Sequence, residues 1–225
     1  MKVTYIFHSC FLVETEDCYY LFDYYKGELP RLKSQKPILV FSSHNHADHY
    51  NKAVFDRLRE QGMENVTAVL SKDIPPRKHP EGIPVIRVYC HKEYALPCGT
   101  TLRTLLSTDE GVAFLLRCSE GCIYHAGDLN DWVWAEETDS YNRQMTGSYR
   151  HEIDLLKDEK IDIAFVPLDP RQEKDAARGI LYFLEHVSVK QVFPMHYWEQ
   201  PQCIDEFCWD YPMYRESICR TPEYL

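Results

Sequence analysis

The sequence contains no apolar run long enough to cross a bilayer, which excludes a spanning helix. Its first residues, MKVTYIFHSCFLVETEDCYYLF, carry no cleavable signal either, because His8, Ser9, Glu14, Glu16 and Asp17 interrupt the apolar positions. A soluble, cytoplasmic protein with no membrane partner is expected. No C-x-x-C pair occurs, and CSEGC (118–122) and CIDEFC (203–208) have no second half, so a zinc ribbon is excluded. The nine cysteines, an odd number, therefore read as reduced, small core residues. Positive charge is scarce: 25 Lys and Arg against 35 Asp and Glu leave a formal charge of -10, which repels a phosphate backbone and disfavours nucleic acid as a partner. The motifs G-x-S-x-G and G-x-x-x-x-G-K are missing, which removes a serine elbow and a phosphate-cradling loop. Repeats and Gly/Ser linkers are missing too, so residues 1–225 are expected to form a single domain.

What is present is enough apolar material for a core, with 44% hydrophobic residues and 13% aromatics. Strands are expected at VTYIF (3–7), FLVET (11–15), YYLFDYY (19–25) and PILVFSS (37–43), rich in aromatic and branched residues. Residues 51–61 change period, with Ala53, Val54 and Leu58 on one face and Gly62 as a stop, which predicts a helix. Further strands are expected at 67–71, 84–90 and 100–106, and VAFLLRC (112–118) with CIYHAGD (122–128) reads as a hairpin around SEG. The last third alternates helix (about 148–158), strand (161–167), helix (177–187) and strand (190–194). That order points to an α/β protein with sheets covered by helices.

The chemistry concentrates in FSSHNHADHY (41–50), where a strand ends and a helix is to begin. In an extended segment His44 and His46 project to one side, while Asp48 and His49 leave the first helical turn together and reach a second ion beside the first. Imidazole and carboxylate donors suit zinc, and also manganese or iron.

HNHADH resembles the signature of the metallo-β-lactamase-fold hydrolases, on their lactonase-like side. Asp23 in YLFDYY, Asp128 in IYHAGDLN and His196 in VFPMHYW match further family positions in the same order. The resemblance implies a four-layer αβ/βα sandwich of two mixed sheets flanked by helices, with metals at one edge. It assigns His44 and His46 to a first metal, Asp48, His49 and His196 to a second, Asp128 to both, and support of the loop to Asp23. A third histidine for the first metal is implied from the loop LLSTDEGVAF, which has Ser107 and Thr108 near that place; Asp109 is the candidate replacement. Two metals, the second metal alone, or none therefore stand as alternatives. A di-iron redox use is opposed by His46, where that branch carries glutamate.

The function implied is hydrolysis of a small-molecule ester, lactone or phosphodiester by a metal-activated hydroxide, with Asp48 and Asp128 orienting the water and managing its proton. The rival is a non-catalytic or mononuclear metal-binding or sensing protein on the same scaffold. Around this set, His125 is expected to pack on the opposite face of its strand from Asp128, and His8 to form a turn or to line the site. Trp132, Trp134, Tyr197 and Trp198 read equally as a substrate wall or as core. Asp169 and Arg171 in PLDPRQ are candidates for support or for contact with an anionic substrate group.

Overall fold

In a computed structural model, which describes residues 1–220, the aromatic segments of the first quarter form β1 (Lys2–Phe7), β2 (Cys10–Glu14), β3 (Tyr19–Phe22) and β4 (Ile38–Ser42). After α1 (Ala53–Glu60) come β5 (Val66–Ser71) and β6 (Val85–Val88). These six strands lie in chain order across one sheet, antiparallel from β1 to β3 and parallel from β3 to β6. The second sheet contains β7 (Glu93–Ala95), β8 (Thr101–Leu106), β9 (Val112–Cys118), β10 (Gly121–His125), β11 (Lys160–Pro167) and β12 (Ser188–Met195). It also runs in chain order, antiparallel from β7 to β10 and parallel from β10 to β12. α2 (Asp139–Asp154) and α3 (Arg178–His186) make the crossovers before β11 and β12, and α4 (Gln202–Asp210) follows.

Strand alternation decides what each face buries. Phe11, Val13, Phe22 and Phe41 point from the first sheet toward the second, where the Phe11 ring lies 4.3 Å from Phe165 and Phe41 lies 5.3 Å from Phe114. Leu12, Leu21 and Val40 point the other way, onto Val54, Phe55 and Leu58 of α1. Tyr124 stacks on Phe183 of α3 at 5.4 Å, and Tyr149 of α2 donates its hydroxyl to the Gly179 carbonyl at 2.6 Å. The result is helix, sheet, sheet, helix: the expected sandwich of two mixed sheets. Each fully buried aromatic contributes about 1.5–3 kcal/mol, so Phe165, which meets Phe11 and Phe22 across the sheets, is a point where truncation to alanine would cost about 3–5 kcal/mol.

Two expected elements shift. The helix placed at about 148–158 runs from Asp139 to Asp154, because the Thr138 side chain accepts from the Tyr141 amide at 3.2 Å and caps it much earlier. Its first turns, DSYNRQMTG, carry no apolar stripe, so periodicity did not reveal them; the residues it buries are Tyr149, Glu152 and Ile153. The helix after the histidine loop starts at Ala53, where the Asn51 side chain accepts from the Ala53 amide at 3.0 Å. All nine cysteines are free, but only Cys10, Cys18, Cys122 and Cys208 are fully buried, the others being half-buried. No helix among the described residues is long and apolar enough to cross a membrane.

Candidate metal centre

The parallel strands β3 and β4 of one sheet, and β10, β11 and β12 of the other, deliver their C-terminal ends to one edge of the sandwich. That is where open α/β sheets place ligand sites. Asp23 follows β3, residues 43–49 follow β4, Asp128 follows β10, Asp169 follows β11 and His196 follows β12. The histidine loop is bent rather than extended, and Asp48 and His49 sit in a turn closed by the His49 amide on the His46 carbonyl at 3.1 Å, ahead of α1. The reason is Asn51, whose amide bonds the Tyr24 carbonyl and whose side chain bonds the Tyr25 carbonyl, holding back the helix start. The two histidines still converge: His44 Nε2 lies 3.0 Å from His46 Nδ1.

Two groups of donor atoms form. His44, His46, Asp109 and Asp128 make one, and His8, His49 and His196 make the other, each with its donor atoms within 4.8 Å of one another. Asp128 links them: Oδ2 is 3.4 Å from His44 Nε2, and Oδ1 is 3.2 Å from His49 Nε2 and 2.8 Å from His196 Nε2. Asp48 borders the second group, with Oδ2 3.5 Å from His8 Nε2 and 3.9 Å from His49 Nε2. All six residues that the resemblance assigned to metals are thus brought together, and Asp109, the candidate replacement for the implied histidine, has its Oδ2 3.6 Å from His46 Nδ1. His8, left open from the sequence between a turn and a site residue, lies in the β1–β2 turn with its ring against those of His49 and His196. The loop signal could not find it, because a lone histidine in a hairpin carries no spacing.

The backs of the imidazoles are fixed by hydrogen bonds. Asp23, fully buried, accepts from the Ser43 amide at 2.7 Å, from the Ser43 hydroxyl at 2.6 Å and from His49 Nδ1 at 2.7 Å. Since Ser43 gives its proton to Asp23, its oxygen accepts from His44 Nδ1 at 2.9 Å. Both rings are thereby held with Nε2 toward the centre, the tautomer a metal ligand needs. His196 Nδ1 faces Asp169 Oδ2 at 3.7 Å, and Asp169 is clamped by Arg171, whose Nη2 donates at 2.5 Å and Nε at 2.9 Å.

A cation fits this donor set. His49 Nε2, His196 Nε2, His8 Nε2 and Asp128 Oδ1 are buried and none has a hydrogen-bond partner, although Asp128 and His196 approach to 2.8 Å. Buried polar atoms normally find partners, so four that point at common ground without bonding are orphans a metal would satisfy. The charges agree. Burial raises the Asp128 carboxyl, but His49 and His196 override it and hold the group well below the ordinary range. His196 is pushed down by burial and up by Asp128 and Asp169, ending raised to about 9, and His49 is also raised against burial by Asp128 and Asp23. His44 is lowered to about 4 by burial and by His49, and His8 to about 4 by burial and by His196. Asp109 is raised by burial and by Asp128, a penalty that a neighbouring cation would remove.

Strain collects here as well. His8, Asp23 and His196 adopt left-handed backbone with φ of 58°, 43° and 64°. Non-glycine residues pay on the order of 1–2 kcal/mol for that, and such outliers cluster at functional sites.

The centre opens into a cavity of about 250 Å³. Trp132, Trp134, Tyr141, Met145 and Arg171 wall it opposite the donors. Trp132 and Trp134 stack in parallel with centroids 5.9 Å apart and together form part of the cavity wall. Tyr197 instead stacks on Tyr5 at 5.6 Å within the core, and Trp198 lies over His8 at 4.3 Å. His125 is the packed histidine expected: it lies flat on Phe22 at 4.9 Å and its Nε2 donates to the Ser9 carbonyl at 2.9 Å.

A family model described as the beta-lactamase superfamily domain matches residues 2–196. The chain belongs to that superfamily. A metal-dependent hydrolase of Alkaliphilus metalliredigens is 25% identical over 216 residues, covering 88% of this chain and 85% of that one. Among solved structures, a metallo hydrolase from the archaeon Ignicoccus hospitalis superposes with a TM-score of 0.68 at 18% identity, covering 98% of this chain and 94% of the other. CmlA, a diiron beta-hydroxylase from Streptomyces venezuelae, superposes with a TM-score of 0.56 at 12% identity over 88% of this chain and 46% of its own. At such identities the superpositions establish the superfamily fold, and chemistry must be argued from the site.

Proposed function

We propose that this protein is a metal-dependent hydrolase acting on a small-molecule ester, lactone or phosphodiester. The observation that carries the reading is the set of buried, unbonded imidazole and carboxylate atoms around Asp128, open on one side to a cavity. The name of the Alkaliphilus relative supports the same class. His44, His46, Asp109 and Asp128 would hold one metal, and Asp48, His49, Asp128 and His196 a second; zinc suits the imidazoles, manganese or iron the carboxylates. Bound there, a metal pair supplies Lewis acidity and a water acidified toward neutrality.

The remaining work falls to side chains. Asp48 stays ionised far below neutral pH, since His8 and His49 overcome the burial that would raise it. Its carboxylate therefore accepts the hydrogen bond of an incoming water and would orient that water for attack. Asp128 fixes the spacing of the two halves of the centre by facing His44 with one oxygen and His49 and His196 with the other. Trp132 and Trp134 exclude water from the apolar part of a substrate. Arg171, anchored through one edge on Asp169 and lying over Trp198 at 4.7 Å, presents the rest of its guanidinium to an anionic group.

The test is a panel of ester, lactone and phosphodiester substrates assayed with zinc, manganese and iron. Turnover that requires added metal and disappears in Asp48→Asn supports the reading. Ligand binding without turnover under any metal would instead make the protein a binding or sensing module on this scaffold.

A further inference from the structure

His8 sits at the tip of the β1–β2 hairpin, between Phe7 and Cys10, far from the histidine loop in sequence. Its side chain is 1% exposed, and neither ring nitrogen has a hydrogen-bond partner. An imidazole shut away from water, with no hydrogen bond and only a 3.5 Å contact of Nε2 with Asp48, is costly unless something absent from the polypeptide uses that nitrogen. Nothing around it is accidental. The His8 amide donates to the Tyr5 hydroxyl at 2.9 Å, and His125 grips the adjoining Ser9 carbonyl, so the hairpin tip is pinned from both sides. The ring packs between Trp198, 4.3 Å away, and His196, 4.1 Å away, with Nε2 turned to Asp48. Its donor atom falls in one group with those of His49 and His196.

We propose that His8 is a metal ligand, the third imidazole of the second site. This rests on the proposed metal centre and adds a residue to it. The second site then has His8, His49 and His196 with Asp48 and Asp128, while the first has His44 and His46 with Asp109 and Asp128. The second site offers three imidazoles and two carboxylates where the first offers two of each, so zinc enters the second site first, and the first site, with fewer imidazoles, fills later and accepts manganese more readily.

The experiment is a zinc titration of chelator-treated protein labelled with 15N in its histidine rings, read by long-range proton–nitrogen NMR. Calorimetry of the parent and of His8→Asn runs beside it. Asparagine tolerates the left-handed backbone at position 8, so the hairpin is kept. The expected result is that a His8 ring nitrogen shifts to the metal-bound range with those of His49 and His196 during the first equivalent, before His44 and His46 move. His8→Asn then weakens the first zinc phase by about 10-fold or more and leaves the later phase, which is the scale on which supporting residues of metal sites act. If His49 and His196 shift at saturation while His8 does not, His8 only touches Asp48 and the inference falls, with the metal centre intact. If no histidine shifts at any zinc concentration, the metal centre falls with it.

Discussion

Asp23 and His49 are joined by a 2.7 Å hydrogen bond in complete burial, and the same carboxylate holds the Ser43 amide and hydroxyl. One side chain thus sets the ring orientation of His49 directly and of His44 through Ser43. Asp23→Asn keeps the shape but offers an amide in place of one acceptor. We expect metal affinity to fall about 10- to 100-fold, with the melting temperature lowered in both the metal-loaded and the chelator-treated protein. Metal content after dialysis against a weak chelator, with thermal melts, checks this; unchanged retention of metal would mean that the imidazoles orient without Asp23.

Asp109→His tests whether position 109 reaches the first site. An imidazole there should tighten the later zinc equivalent by about 10-fold or more and reduce the preference of that site for manganese. Competition titration against a calibrated chelator reads both. A variant that binds the later equivalent no better than the parent would show that position 109 does not reach the metal.

Arg171→Ala should raise KM for a substrate carrying a carboxylate or phosphate by about 10-fold or more and leave kcat nearly unchanged, since a charged hydrogen bond contributes about 1.5–3 kcal/mol. A neutral analogue of the same substrate should lose little. Equal losses for both would place the effect on Asp169 and His196 instead of on the substrate.

Without metal, stability should peak near pH 6.5. His196, raised to about 9 in the folded protein, contributes stability fully present below 6.5 and lost as pH rises through about 9. His8 and His44, lowered to about 4, impose a cost absent above 6.5 that grows as pH falls toward 4. Saturating zinc takes the place of the His196 proton, so the alkaline limb should flatten. Thermal melts from pH 4 to 9.5, with and without zinc, read the two limbs; an alkaline limb unaffected by zinc would contradict the assignment of His196 as a ligand.

How much of this was legible before the fold was known depended on where the donors lie in the chain. His44, His46, Asp48 and His49 announce themselves because one loop carries them, and Asp128 and His196 were named only through the resemblance of IYHAGDLN and VFPMHYW to family positions. The α/β class was legible because PILVF and IDIAFVP are too apolar to face water, whereas the two-sheet sandwich was implied only by the resemblance that HNHADH, Asp128 and His196 carry. His8 was not decided, because its place beside His196 is created by the pairing of sheets that sets Tyr5 against Tyr197. The cavity wall from Tyr141 and Met145 was missed with the first half of α2, whose polar turns show no stripe. The bend in the histidine loop was missed because it is imposed by Asn51 on the backbone of residues 24 and 25.

The meeting of Gly111 with Ser43 limits how this centre can change. A Cβ at Gly111, which has φ of +71°, would lie 1.9 Å from the Ser43 carbonyl oxygen, and the Val112 amide bonds that same oxygen at 3.0 Å. The loop bearing Asp109 and the loop bearing His44 and His46 therefore touch main chain to main chain, with no side chain between them to act as a spacer. A side chain at Gly111 would have to force the two loops apart, so the distance across the first site is set by backbone contact, and what the side chain at position 109 can vary is its reach and its donor atom.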